Sequence, residues 1–160
     1  MTAQPASKIL RRYRLSLGLF IIGLVVSGIT AFPLRHELTW LNSWLEPERH
    51  NGGWTDWISY VHAGVTQTYD RYPFFGYGTD WLAFGHLVIS TFFVLPLIDP
   101  ARYRPVLKLG LVACAGVIAL AVICGPIRSI PFFWTLIDCS FGVFAAIPLG
   151  YCLFLTRDLT

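Results

Sequence analysis

The chain has 160 residues, of which 55% are hydrophobic and only 13% are charged, and its mean hydropathy is positive. Soluble domains usually carry about 25% charged residues, so this composition excludes an ordinary soluble protein and predicts an integral membrane protein. The formal net charge is +3, and the distribution of basic residues described below accounts for it without a nucleic-acid partner.

Four apolar runs are each long enough to cross about 30 Å of hydrocarbon as a helix. They cover residues 15–34, 81–98, 106–125 and 136–155. The first run follows basic residues, as in a secretory signal, but its apolar core is too long and no small-residue cleavage site follows, so we predict a retained helix. No other compact hydrophobic segment is present, and residues 1–160 are predicted to form one all-α domain, a four-helix membrane bundle.

The loop between the first two membrane helices, residues 35–80, contains two segments with helical periodicity. "HELTWLNSWLEPERH" at 36–50 and "WTDWISYVHAGVTQTYDRY" at 54–72 place apolar residues at helical spacing, but both are too short and too polar to span a membrane. We therefore predict two short amphipathic helices lying on the outer membrane surface. "YPFFGYG" at 72–78 is predicted to be a Pro- and Gly-interrupted approach to the second membrane helix.

The basic residues predict the orientation, because Lys and Arg in short loops stay cytoplasmic. If the N-terminus is inside, most of them lie on the inner side: Lys8, Arg11, Arg12, Arg14, Arg102, Arg104, Lys108 and Arg157. Most acids then lie outside: Glu37, Glu46, Glu48, Asp56, Asp70, Asp80 and Asp138. We predict a multi-pass protein of the plasma membrane, the inner membrane in a bacterium, with both termini cytoplasmic.

All six tryptophans fall on the predicted outer side: Trp40, Trp44, Trp54, Trp57, Trp81 and Trp134. An aromatic belt at the membrane interface explains most of them. Aromatic walls for a flat or isoprenoid ligand are the alternative interpretation. The four cysteines all lie in the third and fourth apolar runs, which excludes a disulfide framework in the outer loop and favours buried, small apolar side chains.

Small residues recur every four positions in two of the membrane helices. The two rows are Gly23, Ser27, Ala31 and Arg35 in the first, and Asp138, Gly142, Ala146 and Gly150 in the fourth. Small side chains at this spacing allow membrane helices to approach closely. We expect both rows to face the bundle, and Arg35 and Asp138 to point inward at its outer end.

Ionisable residues gather at the outer ends of all four predicted helices, where a titratable group tends to face a cavity or a partner. We predict a ligand-binding site composed of His86, Asp138, Arg128, Asp80 and Arg35. Each also has a structural interpretation. Asp80 would cap a helix start, Asp138 would pair with Arg128 or Arg35, and His86 would hydrogen-bond to a neighbouring helix.

The predicted function is the binding of a lipid, quinone or similar amphiphile, or a role as an accessory subunit beside another membrane protein or a second copy. The alternative is a membrane enzyme or redox subunit in which His36 and His86 bind haem or a metal. Haem and metal are not favoured, because no HExxH or CxxC spacing is present. Walker loops, nucleophile elbows and dinucleotide fingerprints are also absent from the sequence, so catalysis is left open. Membrane lipids are expected partners, and nucleic acid is not.

Overall fold

The structure, a computed structural model, describes residues 6–45 and 52–158, and within those ranges it contains helices and no strand. The helices are α1 (Ala6–Ala31), α2 (Leu34–Leu45), α3 (Gly53–Arg71), α4 (Phe74–Phe92), α5 (Val94–Ile98), α6 (Arg104–Ile127), α7 (Phe132–Leu155) and a 3-10 turn (Thr156–Asp158). The predicted outer-loop residues Glu46, Glu48, Arg49 and His50 lie outside the described residues.

Four helical segments are long and apolar enough to cross a membrane: Ser7–Ala31, Phe74–Ile98, Arg104–Ile127 and Phe132–Leu155. The predicted fold class, an all-α integral membrane protein with four membrane helices, is confirmed. Helices α2 and α3 occupy the two periodic segments of the predicted outer loop. Their position on the membrane surface stays a prediction, as does the orientation of the chain.

The start of the second membrane helix was predicted wrongly. It begins at Phe74 rather than at residue 81, so "YPFFGYG" mostly forms the first turns of α4. Pro73 precedes the helix, where its fixed φ and missing N–H are compatible with a helix start. Asp80 consequently lies about two turns inside α4 and does not cap its first residue.

The end of the first membrane helix also differs from the prediction. Helix α1 ends at Ala31, because Pro33 cannot continue it, and the Pro33 carbonyl accepts a hydrogen bond from the Glu37 N–H at 3.0 Å as α2 begins. Arg35 therefore lies in the first turn of α2. The predicted row from Gly23 to Arg35 on one membrane helix is wrong at its outer end.

The chain divides into two compact units, one made of Met1–Gly23 with Ser90–Thr160 and the other of Leu24–Ile89. We call them the first and second unit and describe each by itself. The single domain predicted for residues 1–160 stays a prediction.

In the first unit, α6 and α7 pack as an antiparallel pair whose contacts need glycine. A Cβ built on Gly142 would lie 2.6 Å from the Cys114 carbonyl oxygen, and one on Gly125 would lie 2.8 Å from Thr135 Oγ1. A Cβ built on Gly110 would lie 2.9 Å from Leu149 Cδ1. These contacts confirm close packing at Gly142, one of the predicted small residues, because backbones meet where no side chain separates them.

Within the first unit, helix α1 packs against the other helices through Tyr13, which is fully buried. The Tyr13 hydroxyl donates a 2.9 Å hydrogen bond to the Pro96 carbonyl. In a continuing helix that carbonyl would accept from the backbone N–H four residues later, but residue 100 is proline and has none. Tyr13 therefore satisfies a carbonyl that the local sequence leaves without a donor.

In the second unit, the last turns of α1 pack closely on α4. A Cβ on Gly28 would lie 3.0 Å from both the Ala83 carbonyl oxygen and Leu87 Cδ2. Gly28 is not a member of the predicted small-residue row, whose Gly23 has nothing within 4 Å of a built Cβ. The contact brings the end of α1, and Phe32 after it, beside the first half of α4.

Replacing Gly142 by alanine should destabilise the protein by about 1–3 kcal/mol, because the added methyl group meets a backbone carbonyl that cannot rotate away. Gly150→Ala is the matched control on the same helix, since its Cβ meets nothing within 4 Å. Thermal denaturation in detergent measures both variants. Equal melting temperatures for the two would show that α6 and α7 do not pack through Gly142.

Removing only the Tyr13 hydroxyl, as Tyr13→Phe, should cost about 1–3 kcal/mol because the Pro96 carbonyl is left buried without a donor. Tyr60→Phe is the control, because Tyr60 is 72% exposed. Chemical denaturation followed by circular dichroism compares them. A Tyr13→Phe variant as stable as the Tyr60→Phe variant would contradict the assignment of that hydrogen bond.

Candidate functional site

Polar side chains join α2 to α3 in the second unit. The pairs run in opposite order along the two helices: Arg35 with Asp70 at 2.8 Å, Thr39 with His62 at 3.1 Å, and Asn42 with Ser59 at 2.8 Å. This order defines an antiparallel helical hairpin whose polar faces meet each other. Arg35, one of the predicted ligand-binding residues, is thereby engaged with Asp70.

The hairpin is connected to the start of α4 through Tyr69. Its hydroxyl lies 2.9 Å from Thr79 Oγ1, and Thr79 Oγ1 donates to the Gly76 carbonyl at 2.7 Å. Since the Thr79 proton is used for Gly76, Tyr69 is the donor to Thr79. The Tyr69 ring also packs against Gly76, where a Cβ would lie 3.4 Å from it. These contacts hold the first two turns of α4 in helical form.

Four aromatic side chains and Asp80 line an open groove of about 220 Å³ in the second unit. Tyr77, Asp80, Trp81 and Phe84 share one face of α4 because they are spaced three, four and seven residues apart, and Phe32 completes the groove. Trp81 is central, with edge-to-face contacts to Tyr77 at 5.9 Å and to Phe84 at 6.1 Å between ring centroids. We call this feature the aromatic groove.

Asp80 lines the aromatic groove together with the four rings, and the surface that they contribute is apolar. The residue is half-buried. Within residues 6–45 and 52–158 its carboxylate forms no hydrogen bond and no ion pair. A carboxylate about two turns inside a membrane-spanning helix is costly without a counter-charge, which makes Asp80 the predicted site residue best placed to meet a ligand.

His86 lies further along α4 and hydrogen-bonds within its own helix. Its Nδ1 is 2.9 Å from the Leu82 carbonyl oxygen. A carbonyl only accepts, so Nδ1 carries the proton and Nε2 keeps its lone pair when the ring is neutral. The predicted bond from His86 to a neighbouring helix is therefore replaced, at Nδ1, by a bond to the preceding turn.

The metal alternative has little support in the side-chain arrangement. Among the residues that the structure describes, no group of three or more His, Cys, Asp and Glu side chains is placed to hold a metal ion. His36 is exposed in the first turn of α2, and His86 lies on α4. A haem held by two histidines needs only this pair. Haem binding therefore stays the alternative hypothesis, and it would use Nε2 of His86, which has no hydrogen bond among the described residues.

The remaining two predicted site residues, Arg128 and Asp138, belong to the first unit. Arg128 is exposed at the C-terminal cap of α6, where the next residue, Ser129, has a positive φ of 56°. The Ile130 N–H bonds to the Gly125 carbonyl at 2.9 Å and the Ser129 N–H to the Pro126 carbonyl at 3.1 Å, which is a Schellman ending. Asp138 is half-buried in the second turn of α7, and in the described part of the chain it makes no ion pair with Arg128.

Comparison of the chain with protein-family models, with curated proteins and with solved structures found no match. The site therefore has to be argued from its own residues. Sequence reasoning missed Phe32, Tyr77 and Phe84 as lining residues and Asp70 as the partner of Arg35. The spacing of Tyr77, Trp81 and Phe84 was the available signal, but it indicates one helical face only if the helix begins before residue 77.

We expect purified protein to show no Soret absorption and no stoichiometric metal, because His36 is exposed and no group of three or more His, Cys, Asp and Glu side chains among the described residues is placed to hold a metal. Absorption spectroscopy and elemental analysis in detergent test this. A Soret band or bound metal that is lost in His86→Ala but kept in His62→Ala, the control on the α2–α3 hairpin, would reverse the conclusion and establish His86 as a ligand.

Proposed function

We propose that this membrane protein binds an amphiphile with a cationic head in the aromatic groove. The observation that carries the proposal is the combination of four aromatic rings with the carboxylate of Asp80, which has no partner among the described residues. Aromatic faces attract cations through their quadrupole, and ammonium groups are commonly recognised by several rings together. Asp80 beside these rings adds a negative charge that a quinone or an uncharged lipid has no cation to pair with.

The size of the aromatic groove favours part of a lipid-like molecule over a complete small-molecule ligand. Pockets that enclose a drug-sized ligand usually measure about 300–1,000 Å³, whereas this groove measures about 220 Å³ and is open. An amphiphile would place its apolar chain along the exposed side chains of α4, such as Leu82, and its head against Trp81 and Asp80. The membrane itself would shield the rest of the chain.

The charges around the aromatic groove support a cation over an anion. Arg35, the nearest basic residue to the end of α1 in the sequence, has its guanidinium engaged by Asp70 at 2.8 Å. Arg71 lies over the Tyr72 ring at 5.3 Å. Asp80 is left without a basic partner among the described residues, so a ligand ammonium would gain a counter-charge there that the protein does not supply.

Titration of the protein in maltoside micelles with dodecyltrimethylammonium tests the proposal, with binding followed by calorimetry. We expect Asp80→Asn to weaken binding about tenfold and Trp81→Leu by a similar factor, since a desolvated cation–π contact or ion pair contributes about 1–2 kcal/mol. Asp56→Asn on α3 is the control for loss of an exposed carboxylate.

Three results separate the possibilities. If all three variants bind dodecyltrimethylammonium as tightly as the unaltered protein does, the proposal is contradicted, and the accessory-subunit role becomes the better hypothesis. Binding of decylubiquinone that depends on Trp81 but not on Asp80 would keep the aromatic groove as a site and replace the cationic ligand by a quinone. Weaker binding in Asp56→Asn equal to that in Asp80→Asn would assign the effect to net charge alone and would also contradict the proposal.

A further inference from the structure

The first unit carries a basic surface around Tyr13. Helix α1 contributes four basic residues in its first turns, the start of α6 and the residues before it contribute three, and one follows α7: Lys8, Arg11, Arg12, Arg14, Arg102, Arg104, Lys108 and Arg157. We call these residues the basic cluster. The cluster has no role in the aromatic groove, whose residues belong to the second unit.

Contacts at Tyr13 bring the three segments of the basic cluster to the same end of the first unit. The Tyr13 hydroxyl bonds to the Pro96 carbonyl of α5 at 2.9 Å, and Cys152 Sγ of α7 lies 3.6 Å from the Tyr13 carbonyl oxygen. The turn after α5 leads directly into α6, with the Arg102 N–H bonded to Asp99 Oδ1 at 3.1 Å. The first turns of α1, the α5–α6 turn and the last turn of α7 therefore meet around one buried side chain.

Part of the positive charge of this surface has no acidic partner within the described part of the chain. Arg12, Arg104 and Lys108 form no ion pair there. Asp99 accepts the backbone N–H of Arg102, and the Arg102 guanidinium lies over the Tyr103 ring at 5.5 Å. The Nε of Arg104 is buried and has no hydrogen-bond partner among the residues that the structure describes. Basic residues without acidic partners at a membrane surface attract the headgroups of anionic lipids.

We propose that the basic cluster, with Arg104 at its centre, binds the phosphate of an anionic membrane phospholipid. The planar guanidinium presents N–H donors in a fork that matches two phosphate oxygens, which a lysine ammonium does not. Leu109 and Val112, exposed on the following turns of α6, provide apolar surface for the acyl chains. Free phosphate would gain nothing from that surface, and therefore the lipid is the favoured source of the anion.

The test measures lipid binding to the full-length protein in maltoside micelles. Native mass spectrometry would record retained lipid after addition of phosphatidylglycerol, cardiolipin or phosphatidylcholine, and thermal denaturation would record stabilisation by the same lipids and by inorganic phosphate. We expect retention and stabilisation with the two anionic lipids only. Replacing Arg102 and Arg104 by glutamine should weaken that retention about tenfold, since basic residues near a membrane surface each strengthen the attraction severalfold.

Arg71→Gln is the matched control, because Arg71 lies over the adjacent Tyr72 ring at 5.3 Å just as Arg102 lies over Tyr103 at 5.5 Å. Arg104→Lys keeps the charge and removes the fork, and it should bind anionic lipid with intermediate affinity. Equal loss in the Arg71 variant would reduce the effect to overall charge and overturn the proposal. Equal retention of phosphatidylcholine, or equal stabilisation by inorganic phosphate, would also overturn it. If the double variant fails to fold, the Arg104→Lys comparison decides.

Discussion

The hydrogen bond from Tyr13 to the Pro96 carbonyl illustrates a constraint on the whole chain, which is that each backbone polar group needs a hydrogen-bond partner. In hydrocarbon, a backbone carbonyl or N–H without a partner costs several kcal/mol, so the chain has to form helices and to satisfy separately each group that a proline leaves over. Pro100 removes the donor that the Pro96 carbonyl would have used. Tyr13 replaces it from another helix. A local defect in α5 thereby becomes a tertiary contact that fixes the first turns of α1, with their basic residues, against α5.

The second unit depends on a comparable arrangement at the start of α4. Gly76 and Gly78 are poor helix formers, and they would leave the first turns of α4 weak by themselves. Tyr69 packs its ring on Gly76 and donates to Thr79, which in turn donates to the Gly76 carbonyl. These contacts stabilise helix where local propensity does not. The aromatic groove follows directly, since Tyr77, Trp81 and Phe84 share a face only when residues 74–84 are helical.

Hydropathy was sufficient to predict the four membrane helices, because apolar length is a property of the local sequence. It was insufficient at the helix ends. Tyr77 and the glycines near it contribute little to hydropathy, and this part of the helix is contacted by Tyr69, a residue of another helix. Packing was predictable only in part: Gly142 meets α6 closely, whereas Gly150 on the same row meets nothing. Which member of a small-residue row makes contact depends on how the helices cross, and a single sequence does not contain that information.

For the same reason, the ionisable residues could be listed from the sequence, but their interaction partners could not be predicted from it. Arg35 and Asp80 were equally suitable as site residues in the sequence, but Arg35 is engaged by Asp70, whereas Asp80 has no counter-charge among the described residues. The proposed cationic ligand follows from this carboxylate of Asp80. A zwitterionic lipid would bring its phosphate close to the Asp80 carboxylate as well as its ammonium, so part of the attraction would be lost to repulsion. A singly charged cationic amphiphile avoids that repulsion, and the unpaired carboxylate therefore favours it over the bulk zwitterionic lipid of a membrane.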